Sequence, residues 1–363
     1  MAITREKRVI QLLPTLAYGD GVGNDTLAID EILKRNGYDT HIYAENIDKR
    51  IDGRIVSMVS EMPETAEDDY IIYHLSTGSR LNDLLKSFKG KKMVIYHNVT
   101  PPEFFAPYSR QAEMLCQEGK KGVEILSGVA DYCLADSEYN KQELLDVGYQ
   151  SEIKVLPIII PFSDYKKKPS IKVVQKYKDD FTNILFTGRI APNKKQEDVI
   201  NAFYHYQKYY NSKSRLFLVG SYSGMEMYYE RLKRYVSTLE VKNVIFTGHI
   251  SFDEILAYYS VSDLFLCMSE HEGFCIPLVE AMLFEVPIIA YQTSGVIGTM
   301  NGCGIPVYQK NPLEIAGLMN YVQNNKQVRR QILLGQNERL QAFDNRKIER
   351  EFLENLEYFM GLN

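Results

Sequence analysis

The sequence carries no excess of positive charge: 42 Lys and Arg stand against 47 Asp and Glu, a formal net charge of −5. A dedicated nucleic-acid binder normally shows a basic footprint, so that class is set aside. There is no CxxC pair. The cysteines, Cys116, Cys133, Cys267, Cys275 and Cys303, are odd in number and scattered. That spacing argues against a disulfide framework or a zinc knuckle and fits a reducing compartment. Long apolar runs are missing too. The most apolar stretch, Val155–Phe162, is interrupted by Pro157 and Pro161, whereas a membrane-spanning helix needs about 20 apolar residues. The opening MAITREKRVIQLLPT has no apolar stretch followed by a small-residue cleavage site and does not read as a secretory signal. These absences together predict a soluble, cytoplasmic protein.

What is present is a globular chain of 363 residues with 45% hydrophobic and 25% charged residues, too apolar for intrinsic disorder. At roughly 100–200 residues per domain the length suggests two domains. Short apolar runs alternate with helical patterns throughout. Strands are predicted at Val9–Leu13, His41–Ala44, Tyr70–Tyr73, Lys92–Tyr96, Tyr132–Ala135, Glu152–Leu156, Asn183–Thr187, Arg215–Val219, Asn243–Thr247, Asp263–Met268 and Pro287–Ala290. Helices between them, such as Thr26–Arg35, Gln196–Tyr210, Met225–Leu239 and Phe252–Ser260, imply parallel sheets with right-handed crossovers. So many strands fit two sheets better than one. The seam is placed near Pro161–Asp180, where Ile-Pro-Phe gives way to Tyr165-Lys-Lys-Lys-Pro169. The domains are therefore 1–165 and 180–345, with 346–363 a C-terminal helix that can cross back to the first domain. Ligands of such sheets sit beyond the carboxyl ends of the strands, and a cleft facing both domains is the default site.

Three segments can carry chemistry. The first is Gly19-Asp-Gly21-Val-Gly23-Asn24, between the first strand and the first helix. Glycines there admit an anion to a helix N-terminus, but the dinucleotide fingerprint is absent, as is GxxxxGK[ST], and a tight turn explains the cluster equally well. The second is Gly188-Arg189…Lys194, after the strand Asn183–Thr187. Gly188 permits close approach, and Arg189 with Lys194 would neutralise a diphosphate; a solvated basic turn is the plain alternative. The third is Glu270-His-Glu272-Gly273-Phe274-Cys275-Ile-Pro-Leu278-Val279-Glu280. Glu272 in a loop and Glu280 in the first turn of the next helix offer carboxylates to hydroxyl groups, with helix-start N–H groups between them. For Glu280 alone, favourable charge at a helix N-terminus suffices.

The Glu272–x7–Glu280 spacing in EHEGFCIPLVEAM resembles the signature of retaining, family-4-like glycosyltransferases (glycosyl transferases group 1) of the GT-B fold and bacterial polysaccharide type. Gly188-Arg189…Lys194, Phe217-Leu-Val-Gly220, Ile245-Phe-Thr-Gly248-His249 and Asp263-Leu-Phe-Leu follow the same order, and Ala135–Lys141 matches in the first half. The resemblance implies an α/β fold of GT-B architecture, two Rossmann-like parallel-sheet domains facing a central cleft. It implies a nucleoside-diphosphate sugar as donor substrate, with Arg189 and Lys194 on its diphosphate, Glu280 on the ribose and Glu272 on a sugar hydroxyl. Gly273, Phe274, Leu278 and Val279 would add backbone contacts, and Gly248, His249 and Ile250 would face the base. Gly21 would close over the phosphates, and His97, after the strand Lys92–Tyr96, would line the sugar. His74 is an alternative occupant. Ser137, Glu138 and Asn140 are either cleft residues or a helix cap. Two departures stand out: Cys275 where the family often has glycine, which bears on the donor-sugar pocket, and Glu285 where a glycine usually precedes the next strand. No Asp-x-Asp motif lies in a suitable loop, so no cofactor and no essential metal are expected.

The implied activity is hexosyl transfer to a glycan or lipid-linked glycan acceptor in surface polysaccharide assembly. Residues 1–165 are acidic, with 18 Lys and Arg against 26 Asp and Glu. One local patch, residues 80–92, carries Arg80, Lys86, Lys89, Lys91 and Lys92 beside Leu81, Leu84, Leu85 and Phe88. It reads as an amphipathic helix packed on the sheet, or as a peripheral contact with the inner face of the cell membrane. The rival functions are a nucleotide-sugar epimerase of the same architecture and a non-catalytic nucleotide-sugar-binding subunit.

Overall fold

The computed structural model describes residues 7–17 and 19–362. Residues 1–6, at the head of the stretch read for an export signal, lie outside the described residues, as do Tyr18 and Asn363. The chain forms two compact units. The first runs to Pro102, resumes over Glu113–Pro161 and ends with the segment from Phe343. The second comprises Glu103–Ala112 and Phe162–Ala342. Glu103–Ala112, which the sequence places in the first domain, thus clusters with the second, where the Tyr108 ring packs edge-on against Tyr228.

In the first unit, strands β1 (Arg8–Leu16), β2 (Asp39–Ile47), β3 (Val56–Met58), β4 (Tyr70–Leu75), β5 (Lys91–Tyr96), β6 (Tyr132–Ala135) and β7 (Glu152–Val155) form one parallel sheet. Its order is β3-β2-β1-β4-β5-β6-β7. Successive side chains on a strand point to opposite faces, and here both faces are covered. Ile10, Leu12, Ile71, Tyr73 and Val94 enter one buried cluster. Val9, Ile72, Met93 and Leu134 enter another, with Ile29 and Leu33 of the helix Gly21–Arg35 and Ile348, Phe352 and Leu356 of the helix Asn345–Met360. Double burial is why these strands read as continuous apolar runs.

In the second unit, β8 (Thr182–Thr187), β9 (Ser214–Val219), β10 (Val244–Gly248), β11 (Leu264–Cys267), β12 (Ile288–Tyr291) and β13 (Ile305–Val307) are ordered β10-β9-β8-β11-β12-β13, again all parallel. Both units are therefore Rossmann-like parallel-sheet domains. In each, the order reverses beside the first strand, at β1/β4 and at β8/β11, and these reversal points are where such sheets bind ligands. The two strands that the sequence does not announce, β3 and β13, are three-residue edge strands too short to show a pattern.

The helix Phe252–Ser260 starts at a capping box, with the Ser251 N–H donating to Glu254 Oε2 over 3.1 Å. Residues 80–92 do not form one amphipathic helix. Leu81–Leu84 is a single helical turn, Leu85–Ser87 is a 3-10 turn, and Lys91 and Lys92 already belong to β5. Gly90, at φ +86° and where a Cβ would lie 2.3 Å from the Asp69 carbonyl oxygen, turns the chain into the sheet. Leu81 and Leu85 are buried and Phe88 packs on the same cluster, while Leu84 stays exposed. Among the described residues no helix is long and apolar enough to cross a membrane.

Candidate functional site

The reversal point of the second sheet gathers most of the predicted residues. β8 ends at Thr187, and Gly188 (φ +139°) turns the chain over the end of β9. A Cβ on neighbouring Gly220 would lie 2.0 Å from the Gly188 carbonyl oxygen, so only glycine allows this approach. Arg189 follows, its side chain exposed and in none of the ion pairs among the described residues. The 3-10 turn Pro192–Lys194 then aims Lys194 at the loop after β11, where its ammonium pairs with Glu272 Oε2. Burial works against this ammonium, but Glu272 outweighs it and the Lys194 pKa lies above its ordinary value.

The loop from Met268 to Cys275 is fastened on several sides. Buried Asn193 accepts from the Glu270 N–H at 2.8 Å through its backbone oxygen and donates to the His271 carbonyl at 3.0 Å through its side chain. From the helix Ser294–Met300, the Ser294 hydroxyl accepts from the Glu272 N–H at 2.9 Å, and the Gly295 N–H donates to the Glu272 carbonyl at 2.9 Å. The Thr299 hydroxyl donates to the Phe274 carbonyl. Glu270 lies between Lys310 at 2.8 Å and Lys195 at 3.2 Å. Burial would raise its pKa, yet these two cations hold it below the usual glutamate range.

Glu280 departs from the expectation in position. The helix runs Ile276–Leu283, so Glu280 is its fifth residue and sits in the second turn, beyond the reach of a helix-start charge effect. The N–H of Leu278 donates to the Cys275 carbonyl at 3.1 Å, and Pro277 has none. Both Glu280 oxygens already accept hydrogen bonds of 2.6 Å, Oε1 from the Tyr165 hydroxyl and Oε2 from Tyr259. Burial raises the Glu280 pKa even though both hydroxyls favour the carboxylate. Each carboxylate oxygen keeps a second lone pair for a ligand hydroxyl. Tyr259 belongs to the order that carries the family resemblance but takes no role from it, and Tyr165 lies in no motif, because no spacing rule links it to a residue so far along the chain. Gly248 (φ +68°), exposed His249 and half-buried Ile250 stand at the end of β10, two strands away from β8.

Cys275 caps that helix with a left-handed backbone, φ +74°, a conformation that costs a non-glycine residue on the order of 1 kcal/mol. Its sulfur and that of Cys267, at the end of β11, lie side by side within 4.8 Å. Cys267, Glu272 and Cys275 bring potential metal-ligand atoms within 4.8 Å of one another. The Lys194 ammonium on Glu272 already supplies positive charge there.

In the first unit, Gly21 is the first residue of the helix Gly21–Arg35, and Asp20 caps it by accepting from the Gly23 N–H at 3.3 Å. A Cβ on Gly23 would meet the Ala17 carbonyl at 2.8 Å, so helix packing accounts for that glycine. Ser137 is a helix cap, accepting from the Asn140 N–H at 3.2 Å, and Asn140 is fully buried under Asn98, which settles both as cap and packing residues. Glu138 is exposed. His97 and His74 both join one buried polar chain. His97 Nδ1 lies 2.9 Å from Asp136 Oδ2, its Nε2 lies 2.9 Å from His74 Nδ1, and His74 Nε2 lies 3.1 Å from Gln11 Oε1. Asp136 and Gln11 accept, so two lone pairs would face each other unless the pair holds one extra proton. The rings are parallel within 4° with centroids 5.2 Å apart, which suits an in-line N–H···N bond. Burial opposes charge on His97, but Asp136 and Asp25 outweigh it and raise its pKa; burial and the His97 charge push His74 well below its usual value. Both His97 nitrogens are thus engaged within the protein.

Residues 167–339 match the family model of glycosyl transferases group 1. That match lies within the second unit and takes in the loops after β8 and β11. An uncharacterized glycosyltransferase of Methanocaldococcus jannaschii is 29% identical over 205 residues, 54% of this chain and 50% of that one. A serotype-specific mannosyltransferase of Escherichia coli is 29% identical over 163 residues, 42% of this chain and 20% of that protein. The chain thus spans about half the length, or less, of these curated relatives. Among solved structures, Anabaena HepE in complex with UDP and glucose superposes with a TM-score of 0.75 at 18% identity, covering 97% of this chain and 100% of that one. That likeness shows the fold, and the region matched by the family model holds Gly188, Arg189, Lys194, Glu272 and Glu280.

Proposed function

We propose that the protein is a retaining glycosyltransferase that moves a hexose-type sugar from a nucleoside-diphosphate sugar to a glycan or lipid-linked glycan acceptor in surface polysaccharide assembly. The observation that carries this reading is the Lys194–Glu272 pair at the β8/β11 reversal point, with exposed Arg189 beside it and Glu280 on the following helix. The mannosyltransferase named above and the UDP-bound Anabaena protein are the kinds of relative that support a nucleotide-sugar donor.

Departure of a nucleoside diphosphate leaves negative charge on an oxygen while the sugar becomes oxocarbenium-like. Arg189 and Lys194 meet that charge as it develops, which is where electrostatic stabilisation is most effective. Lys194 reaches the phosphates by exchanging its Glu272 partner, and this frees Glu272 to accept from a sugar hydroxyl. Glu280, held in place by Tyr165 and Tyr259, accepts from the ribose through its remaining lone pairs. The backbone around Gly273, Phe274, Leu278 and Val279 shapes the sugar and phosphate pocket. Front-face attack, with the leaving phosphate assisting removal of the acceptor proton, gives retention. In this reading, transfer needs no divalent metal.

The test is a thermal-shift panel of UDP, GDP, dTDP, ADP and CMP, each with its common sugars. A ligand at 100 times its Kd stabilises by about 2.7 kcal/mol. One base that gives a clear shift, lost in Glu280→Ala, supports the transferase reading and names the nucleotide. No shift with any nucleotide removes it. Release of nucleoside diphosphate only when an acceptor is supplied then separates transfer from epimerisation.

A further inference from the structure

Beside the proposed donor site, two thiols face each other with no assigned role. Cys267 is the last residue of β11 and Cys275 is the cap of the helix Ile276–Leu283. The loop between them carries Glu270, His271 and Glu272. Their sulfurs lie within 4.8 Å of each other, and both side chains are buried. Cys267 Sγ is also 3.4 Å from the Ser269 hydroxyl. The loop is short and doubly anchored, so the pair is held together by the fold rather than by chance encounter.

We propose that Cys267 and Cys275 form a reversible disulfide on exposure to a peroxide, and that this bond closes the loop bearing Glu272 into a form that no longer takes the nucleotide sugar. The step balances as follows. Cys267, as thiolate, attacks the peroxide O–O bond and becomes a sulfenic acid, and the departing hydroxide takes up a proton as water. The Cys275 thiol then attacks the sulfenic sulfur, the S–S bond forms, and a second water leaves. Two thiols are oxidised and one hydrogen peroxide is reduced. The assignment of roles follows the local bonding. The neighbouring Cys275 thiol, with Ser269 assisting, holds Cys267 below the usual thiol range against the opposing effect of burial. Cys275, beside Cys267 and buried, lies well above that range. Cys275 retains 7% of its surface against 1% for Cys267, so a small oxidant has a narrow way in.

A disulfide bond is about 2 Å long, so closure draws the Cys275 sulfur inward by on the order of 1–3 Å. The loop cannot follow freely. The Glu272 carbonyl is tied to the Gly295 N–H, the Glu272 N–H to Ser294 and the Phe274 carbonyl to Thr299. The strain therefore falls on Glu272 and Gly273. A displacement near 1 Å at a reacting centre is enough to cost about 100-fold. This consequence for the nucleotide rests on the function proposed above; formation of the bond does not.

The experiment treats the full-length protein with hydrogen peroxide, maps disulfide-linked peptides by mass spectrometry before and after dithiothreitol, and measures UDP binding by thermal shift. The expected result is a peptide pair joining Cys267 to Cys275, two hydrogens lighter than the reduced pair and reversed by dithiothreitol, with UDP affinity at least tenfold lower in the oxidised protein. Cys267→Ala should bind UDP as the reduced protein does and keep that affinity after peroxide. Sulfinic acid at either cysteine without a linked pair, or a linked pair that leaves UDP affinity unchanged, overturns the proposal. If the reduced protein binds neither UDP nor any other nucleotide of the panel while the linked pair still forms, the functional reading fails and the disulfide stands.

Discussion

Gly295 offers the sharpest test of how the Glu272 loop is held. It is the second residue of the helix Ser294–Met300, and its N–H donates to the Glu272 carbonyl. A Cβ at this position would lie 2.0 Å from the Gly273 carbonyl oxygen, 2.4 Å from the Gly273 carbonyl carbon and 2.8 Å from the Glu272 carbonyl oxygen. All three are backbone atoms, so no side chain can swing aside. The closest approach falls roughly 1.4 Å short of an ordinary contact. In Gly295→Ala the helix and the loop must therefore separate by about an ångström, breaking the Glu272 bonds. Overpacking of this kind costs about 1–3 kcal/mol, and moving Glu272 by that distance should lower kcat/KM for sugar transfer by about 100-fold. Gly298, three residues on in the same helix, is the internal control. It is exposed, and a Cβ there meets nothing within 4 Å. Gly298→Ala should leave turnover unchanged and stabilise the helix by about 0.5–1 kcal/mol. Urea denaturation and initial-rate kinetics on both variants decide the matter. If Gly295→Ala matches the unmodified protein in stability and rate, the close approach does not hold the loop and the argument fails.

Arg189 is exposed and in no ion pair among the described residues, so Arg189→Ala should keep its melting temperature while losing most turnover; a variant of normal activity removes Arg189 from the mechanism. Tyr259 is buried, and its hydroxyl bonds Glu280 at 2.6 Å and contacts Thr187. Tyr259→Phe leaves buried partners unsatisfied and should cost about 1–3 kcal/mol in denaturant titration; an unchanged midpoint contradicts that. Burial pushes the Asp25 carboxyl up to about 7 even though His97 pulls it down. The folded chain then keeps a proton that the unfolded chain sheds above about pH 4, so this group lowers stability as pH rises from about 4 to 7. Asn can still accept from the Ile159 N–H, which lies 2.7 Å from Asp25 Oδ1. Asp25→Asn should therefore gain on the unmodified protein across that window, and a stability gap that is flat with pH would refute the assignment. Dialysis against EDTA should leave transfer intact; loss restored by Mg²⁺ or Mn²⁺ would show that a metal is required.

The sequence by itself determined the two parallel-sheet domains, because strands buried on both faces must be apolar along their whole length and the helices between them announce their own caps. It also marked the candidate segments, since Gly188-Arg189…Lys194 and Glu272–x7–Glu280 are local patterns. Their partners were decided only by the tertiary structure. Tyr165 and Tyr259 meet at Glu280 from different parts of the chain, and Asn193, Ser294, Gly295 and Thr299 fasten a loop with which they share no spacing rule. Edge strands β3 and β13 stayed silent because three residues are too few to show a strand period, and β13 carries a proline in its middle. The patch at 80–92 carried a helical pattern, yet the close approach of Gly90 to the Asp69 carbonyl cuts it into turns. His97 was placed correctly at a strand end, but only folding brings His74, Asp136 and Gln11 around it and engages both of its nitrogens. Local chemistry is written along the chain; which groups satisfy one another is set by packing, because burial makes an unpaired polar atom costly and the fold decides which atoms come within reach.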